Sequence, residues 1–198
     1  MTTSGEGIEA GSLAEPIRLR VEVALRGLTP SETEGVYALS FYLAHEDMQH
    51  PALMVGFNTE ANWEATVDEA SSPDEARWNC AFWLQNQLAW FGEHGTPAAA
   101  AVEDWLKARG LVLSEDAEDD IDQLLDLEGD IAEAFAADVC RAALALHEDG
   151  TLQQVFGHPV PVIVHRLEYD DEIAALTESA NPPGLAADFI RWVMDGCE

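Results

Sequence analysis

Three groups of residues in this chain have types and spacings that chemistry could use. The first is His45-Glu46 followed by His50. A helical zinc-peptidase motif needs its second His four residues after the first, so that both nitrogens meet one metal. Gln49 occupies that place. The sequence therefore predicts no metal site here, only solvated histidines in a loop. The second group is Glu128 and His165. Glu128 falls in the middle of the apolar face of a long helical segment, where burial would raise its pKa toward that of a general acid or base. Gly129 beside it is a competing signal, able to break the helix and swing the carboxylate outward. His165 shares an alternation with Ile163 and Leu167, which suits either a hydrogen-bonded core histidine or a base.

The third group is electrostatic. Eleven carboxylates and no Lys or Arg lie between Arg109 and Arg141. Six of them, Glu115, Asp119, Asp122, Asp126, Asp130 and Glu133, line one side of the predicted helix as a single ridge. Like charges four residues apart each cost a few tenths of a kcal/mol. The helix dipole offsets this near the N-terminus, at Asp119 and Asp122, but not at Asp130 and Glu133. Burying such charges unpaired is prohibitive, so the ridge must face water, a cation or a basic partner. The DxDxDG loop that would arrange oxygens around calcium is absent, and no cofactor is implied.

Other motifs exclude more than they suggest. Cys80, Cys140 and Cys197 are odd in number and form no CxxC, which argues against a disulfide framework or zinc knuckle and fits a reducing compartment. Only Arg141 stands beside a cysteine, so none reads as an activated nucleophile. GxSxG, Walker A and kinase signatures are missing. A GxGxxA string at Gly5 to Ala10 lacks the preceding strand of a dinucleotide fold.

Composition sets the frame. The chain has 198 residues, 47% of them apolar, enough for one well-buried domain. Against 38 acids stand 9 bases, giving a formal charge of −29. That field repels nucleic acid and anionic lipid and speeds encounter with basic proteins. A halophile-type protein would show the same excess of carboxylate. The first sixteen residues carry no Lys or Arg, unlike a signal peptide, and no apolar run approaches the ~18 residues of a membrane span. The expected location is the cytoplasm.

The elements that must hold these groups follow from periodicity. A disordered tail is expected over 1–12 and a single domain over 13–198. Leu13, Ile17, Val21 and Leu25 predict a first helix, ending near Gly27. Val36 to Leu43, apolar on both alternations, predicts a covered strand paired through a longish loop with Ala52 to Phe57. A capped helix follows Asn58 or Thr59, and Ser72-Pro73-Asp74-Glu75 starts another. The aromatic stretch from Trp78 to Phe91 fits helix or strand, and core more readily than an exposed recognition surface. Helices are predicted over 97–109, 118–147, 170–180 and 185–194, with a central strand over 159–167. The order predicts an α+β fold, a small mainly antiparallel sheet with helices packed against it.

The strand Val36-Tyr37-Ala38-Leu39-Ser40-Phe41-Tyr42, then Asn58-Thr59-Glu60, Arg77-Trp78-Asn79-Cys80-Ala81-Phe82-Trp83, Tyr169-Asp170-Asp171-Glu172 and Asn181-Pro182 resemble successive landmarks of the bacterial domain-of-unknown-function 4303 family. Where that family usually has an acid before the second Trp, this chain has Phe82. The resemblance implies one α+β domain of bacterial origin and no catalytic residues. The leading functional expectation is a non-enzymatic, immunity-type module whose acidic ridge neutralises a basic protein partner. The alternatives are an enzyme with a site at Glu128 and His165, or a salt-adapted protein whose charge has no partner.

Overall fold

Two-residue alternation in three strands decides which helices lie where. The structure, a computed structural model, describes residues 11–47, 50–112 and 121–197. Strands β1 (Val36–Asp47), β2 (His50–Thr59), β3 (Ala89–Phe91) and β4 (Val162–His165) form one sheet in the order β3-β2-β1-β4. The β1–β2 and β2–β3 pairs are antiparallel, whereas β4 runs parallel to β1. The fold is α+β, with a mixed sheet. The two long strands carry the predicted hairpin further than expected, and His45 and His50 lie within them rather than in a loop.

Leu39, Phe41, Leu53, Val55, Phe57, Val162 and Val164 point to one face and meet the larger core. Helices α1 (Ala14–Arg26), α5 (Pro97–Arg109), α6 (Ile121–Glu148) and α7 (Thr151–Phe156) supply the rest of that core. The opposite face carries Tyr37, Ala38 and Ile163, covered by Trp78, Trp83, Ile173, Phe189 and Trp192. These come from α4 (Pro73–Trp78), its following loop, α8 (Asp171–Ser179) and α9 (Ala187–Met194). Helices on both sides explain why β1 reads as apolar on both alternations. The short helices α2 (Pro30–Thr33) and α3 (Glu60–Thr66) flank the hairpin.

β4 was expected at the centre of the sheet, and it lies at an edge. Its apolar character is kept because side chains close the open side. Asn181 accepts from the Val162 N–H at 2.8 Å and donates to the Val162 carbonyl at 2.7 Å. Thr177 Oγ1 does the same for Val164, at 3.1 and 3.0 Å. The two residues stand in for a missing strand, so no buried backbone group is orphaned there.

The carboxylate of Asp138 is fully buried in α6. It accepts from the Ser12 hydroxyl at 2.5 Å, the Leu13 N–H at 3.1 Å and the Trp105 indole at 3.0 Å. Arg141 donates to its other side, and Arg109 stands 3.7 Å away. One carboxylate thus starts α1, ties α5 to α6 and binds Ser12, a residue the sequence placed in the tail. Residues 1–10 of that tail lie outside the described residues. Asp138→Ala strands a buried indole N–H and a helix-start N–H, with an expected loss of about 3–5 kcal/mol. Asp138→Asn should lose less. Urea denaturation measures both, and a loss below about 1 kcal/mol for alanine would show the network to be dispensable.

Candidate functional site

Polar chemistry collects on the sheet face turned away from α6. Ser40 and Tyr42 of β1, Met54 and Gly56 of β2, and His165 of β4 all line one cavity of about 320 Å³. They share a face because each strand turns alternate residues the same way. The register sets Ser40 opposite Gly56 and Tyr42 beside His165. The segment 79–86 walls the cavity from the β2 side. Asn86 accepts from the Phe57 N–H at 3.0 Å and donates to the Phe57 carbonyl at 2.9 Å, extending the sheet with a side chain. A Cβ on Gly56 would come within 2.8 Å of Asn86 Oδ1, so this close approach requires glycine.

His165 is buried at the floor of the cavity. Its Nε2 lies 2.7 Å from Ser40 Oγ, and its Nδ1 lies 3.1 Å from the Arg166 carbonyl. A carbonyl only accepts, so Nδ1 carries the proton and Nε2 keeps a lone pair for the serine hydroxyl. Burial pushes the His165 pKa down to about 4, so the ring is neutral near pH 7. The Tyr42 and Tyr169 rings flank it, at 5.4 and 6.3 Å between centroids. The Tyr169 hydroxyl accepts from the Cys80 N–H at 2.8 Å, pinning the cavity wall. Desolvation pushes the Cys80 thiol up to about 12 and also raises Cys140 and Cys197, so none is a ready thiolate.

Glu128 does not join His165. Helix α6 runs unbroken through Gly129, and Glu128 is half-buried rather than enclosed in the apolar face. The α6 helix packs on the face of Val162 and Val164, whereas His165 points the other way with Ile163. The strand alternation separates them across the sheet. His50 also departs from expectation, being buried with Nε2 at 2.6 Å from the Gly92 carbonyl and its ring stacked on His94. The side chains of His45 and Glu46 lie outside the described residues. Among the described residues no three His, Cys, Asp or Glu side chains are placed to share a metal.

The ridge behaves differently. Asp122, Asp126, Asp130 and Glu133 are exposed along α6, while Glu115 and Asp119 lie outside the described residues. All nine basic residues are described, and eight of them make ion pairs with other acids. The ninth, Arg20, donates to the Trp90 carbonyl at 3.2 Å. None reaches the four ridge carboxylates among the described residues. Ile121 and Leu125 beside them are 71% and 54% exposed, because the buried residues of α6 begin at Ile131, with Leu127 only partly covered by the core. A groove between α6 and α8 follows the ridge, lined by Asp126, Asp130, Glu133, Arg166 and Glu172.

Tyr37, Asn58, Glu60, Arg77 and Trp83 meet in one cluster, whereas Asn181 closes the edge of β4. Arg77 forks onto Glu60 at 2.8 and 3.0 Å and lies 4.1 Å above the Tyr37 ring. Its carbonyl accepts from the Tyr37 hydroxyl and the Trp83 indole, and Asn58 donates to Tyr37. This network holds the wall of the cavity. No family model, curated protein or solved structure matches the chain.

Sequence reasoning paired His165 with the wrong partner. Ser40 carried no signal beyond its place on the same alternation as Tyr42, since the two lie 125 residues from His165 or nearly so. The neutral buried ring has a consequence for stability. The unfolded chain binds a proton at His165 below its ordinary pKa of 6.5, and the folded chain does so only near 4. Stability is therefore fully present above pH 6.5 and is lost as the pH falls toward 4. Burial lowers His147 in the same direction. Between pH 7 and 5 the His165 contribution should fall by on the order of 2 kcal/mol. Urea titrations of the wild type and His165→Asn test this: the variant should show a shallower slope, and equal slopes would exclude the assignment.

Proposed function

We propose that the protein is an interaction module that captures a basic protein partner through the outward face of α6, in the manner of an immunity protein against a cationic toxin. The observation that carries this reading is the unpaired ridge. The chain's own cations are engaged elsewhere, so the repulsion among Asp122, Asp126, Asp130 and Glu133 is left uncompensated. Exposed Ile121 and Leu125 sit among those charges and add apolar contact to the surface. Complementary charge raises association rates in a salt-dependent way, while apolar contact slows dissociation. The proposed kinship with the domain-of-unknown-function 4303 family adds an origin to this reading and no activity.

Bulk charge and a specific ridge can be told apart. The triple variant Asp122→Lys, Asp126→Lys and Asp130→Lys should abolish capture of a partner identified by co-purification from the native cell. A control with the same net charge, Asp68→Lys, Glu69→Lys and Glu178→Lys, reverses exposed acids on other elements and should capture as the wild type does. Positions 122–126 and 126–130 stay like-charged after the reversal and only 130–133 becomes an opposite-charge pair, so the ridge variant should keep the stability of the wild type to within about 1 kcal/mol. Equal loss in both variants would reduce the ridge to general acidity, and strong stabilisation of the wild type by molar salt of any kind would favour the salt-adapted reading.

A further inference from the structure

We propose that Ser40 and His165 form a nucleophile–base pair that cleaves small neutral carboxylic esters by acyl transfer in the cavity above the sheet. This goes beyond the docking reading, since the cavity lies on the sheet face turned away from α6 and shares with the groove along the ridge only Arg166 at its rim. A serine nucleophile needs a base within hydrogen-bond reach and a third group that orients the base. Here the Oγ to Nε2 distance is 2.7 Å, and the Arg166 carbonyl fixes the ring at 3.1 Å in the tautomer that leaves Nε2 free.

Ser40 and His165 are both buried, at 9% and 5% exposure, and both also line the cavity. Ile163, two residues before His165 on the same face, is fully covered by the second core. Ser40, set opposite Ile163, and His165, set opposite Tyr42, border the cavity. An apolar pair at those positions would satisfy the strand equally well, so the polar choice coincides with the opening.

The walls define the substrate. Tyr42, Trp83 and Tyr169 offer aromatic surface to a planar apolar body. A volume of about 320 Å³ is at the low end for ligand sites, which run from about 300 to 1,000 Å³. The formal charge of −29 disfavours anionic esters. Arg166 at the rim is held by Glu172 at 3.2 Å, so it does not reverse that preference.

In the first step Ser40 Oγ bonds to the ester carbonyl carbon as its proton passes to His165 Nε2. The tetrahedral adduct expels the alkoxide, which takes that proton and leaves as alcohol. Water, deprotonated by the same nitrogen, then releases the acid and restores the serine. The Tyr42 hydroxyl makes no hydrogen bond among the described residues and is the available donor for the oxyanion.

Phenylmethylsulfonyl fluoride and p-nitrophenyl acetate test the pair on the full chain. The fluoride should leave as Ser40 Oγ bonds to sulfur, and peptide mass mapping should find the sulfonyl group on the Ser40 peptide. Ester turnover should fall more than tenfold in Ser40→Ala and in His165→Asn, with near-ultraviolet circular dichroism confirming the fold. The ridge variant should label at the wild-type rate, which keeps this result separate from partner capture. Absence of an adduct at Ser40 in the folded wild type, or turnover undiminished in Ser40→Ala, would overturn the proposal even if His165→Asn fails to fold.

Discussion

A carboxylate without solvent exposure is tolerable only when every lone pair is used, and Asp138 meets that condition with partners from three separate parts of the chain. Its position fixes the rotation of α6 about its own axis. With Asp138 turned inward, residues at about 100° steps place Asp122, Asp126 and Glu133 well around the helix toward solvent. The same bond set anchors the start of α1 and the indole of Trp105 on α5. The larger helical layer is therefore assembled around one ionisable group. The outward acidic stripe is a geometric consequence of the inward acid.

The sheet divides the molecule into two chemical environments. Its one face takes Leu39, Phe41, Val55 and Val164 into a dry helical core. Its other face begins with aromatic cover over Tyr37 and Ile163 and then opens at Ser40, Tyr42 and His165. The opening exists because the segment after α4 is laid along β2 by Asn86 and roofed by Tyr169 through Cys80, rather than packed down onto the strands. The Arg77–Glu60 fork and its stack on Tyr37 hold that wall from behind. The Tyr169–Cys80 bond and the stack of Arg77 on Tyr37 each join an aromatic ring to a polar group, which suits a boundary between core and cavity.

Electrostatically the chain uses its few cations locally. Arg18 serves Glu15, Glu22 and Asp149, and Arg77 serves Glu60, so the bases lace α1 and the cavity wall instead of distributing over the acidic surface. A protein with 38 acids and 9 bases cannot neutralise every cluster, and the ridge on α6 is among those left without an ion pair in the described residues. That leaves two faces with different demands. One attracts by charge at long range, the other accepts only what fits an aromatic cavity.

Periodicity and end signals made most elements readable in the sequence. The four-residue repeat of α1, the Ser72 cap of α4 and the long amphipathic α6 all form where local propensity and apolar patterning agree. The second covered face was also implied, since β1 is apolar on both alternations. What the sequence could not decide was every pairing across the chain. Whether β4 is central or at an edge depends on Asn181 and Thr177 substituting for a strand, which no local pattern announces. Glu128 looked buried because a helical wheel assumes that the whole apolar stripe is covered, yet the N-terminal turns of α6 extend past the core. Asp138 looked like one more acid, and only its distant partners make it the buried one. Ser40 met His165 because β1 and β4 are parallel neighbours, an arrangement that the chain reaches through the long connection ending in α6 and α7. Local composition determines which elements form, while long-range contact determines which side chains become neighbours, and chemistry depends on the neighbours.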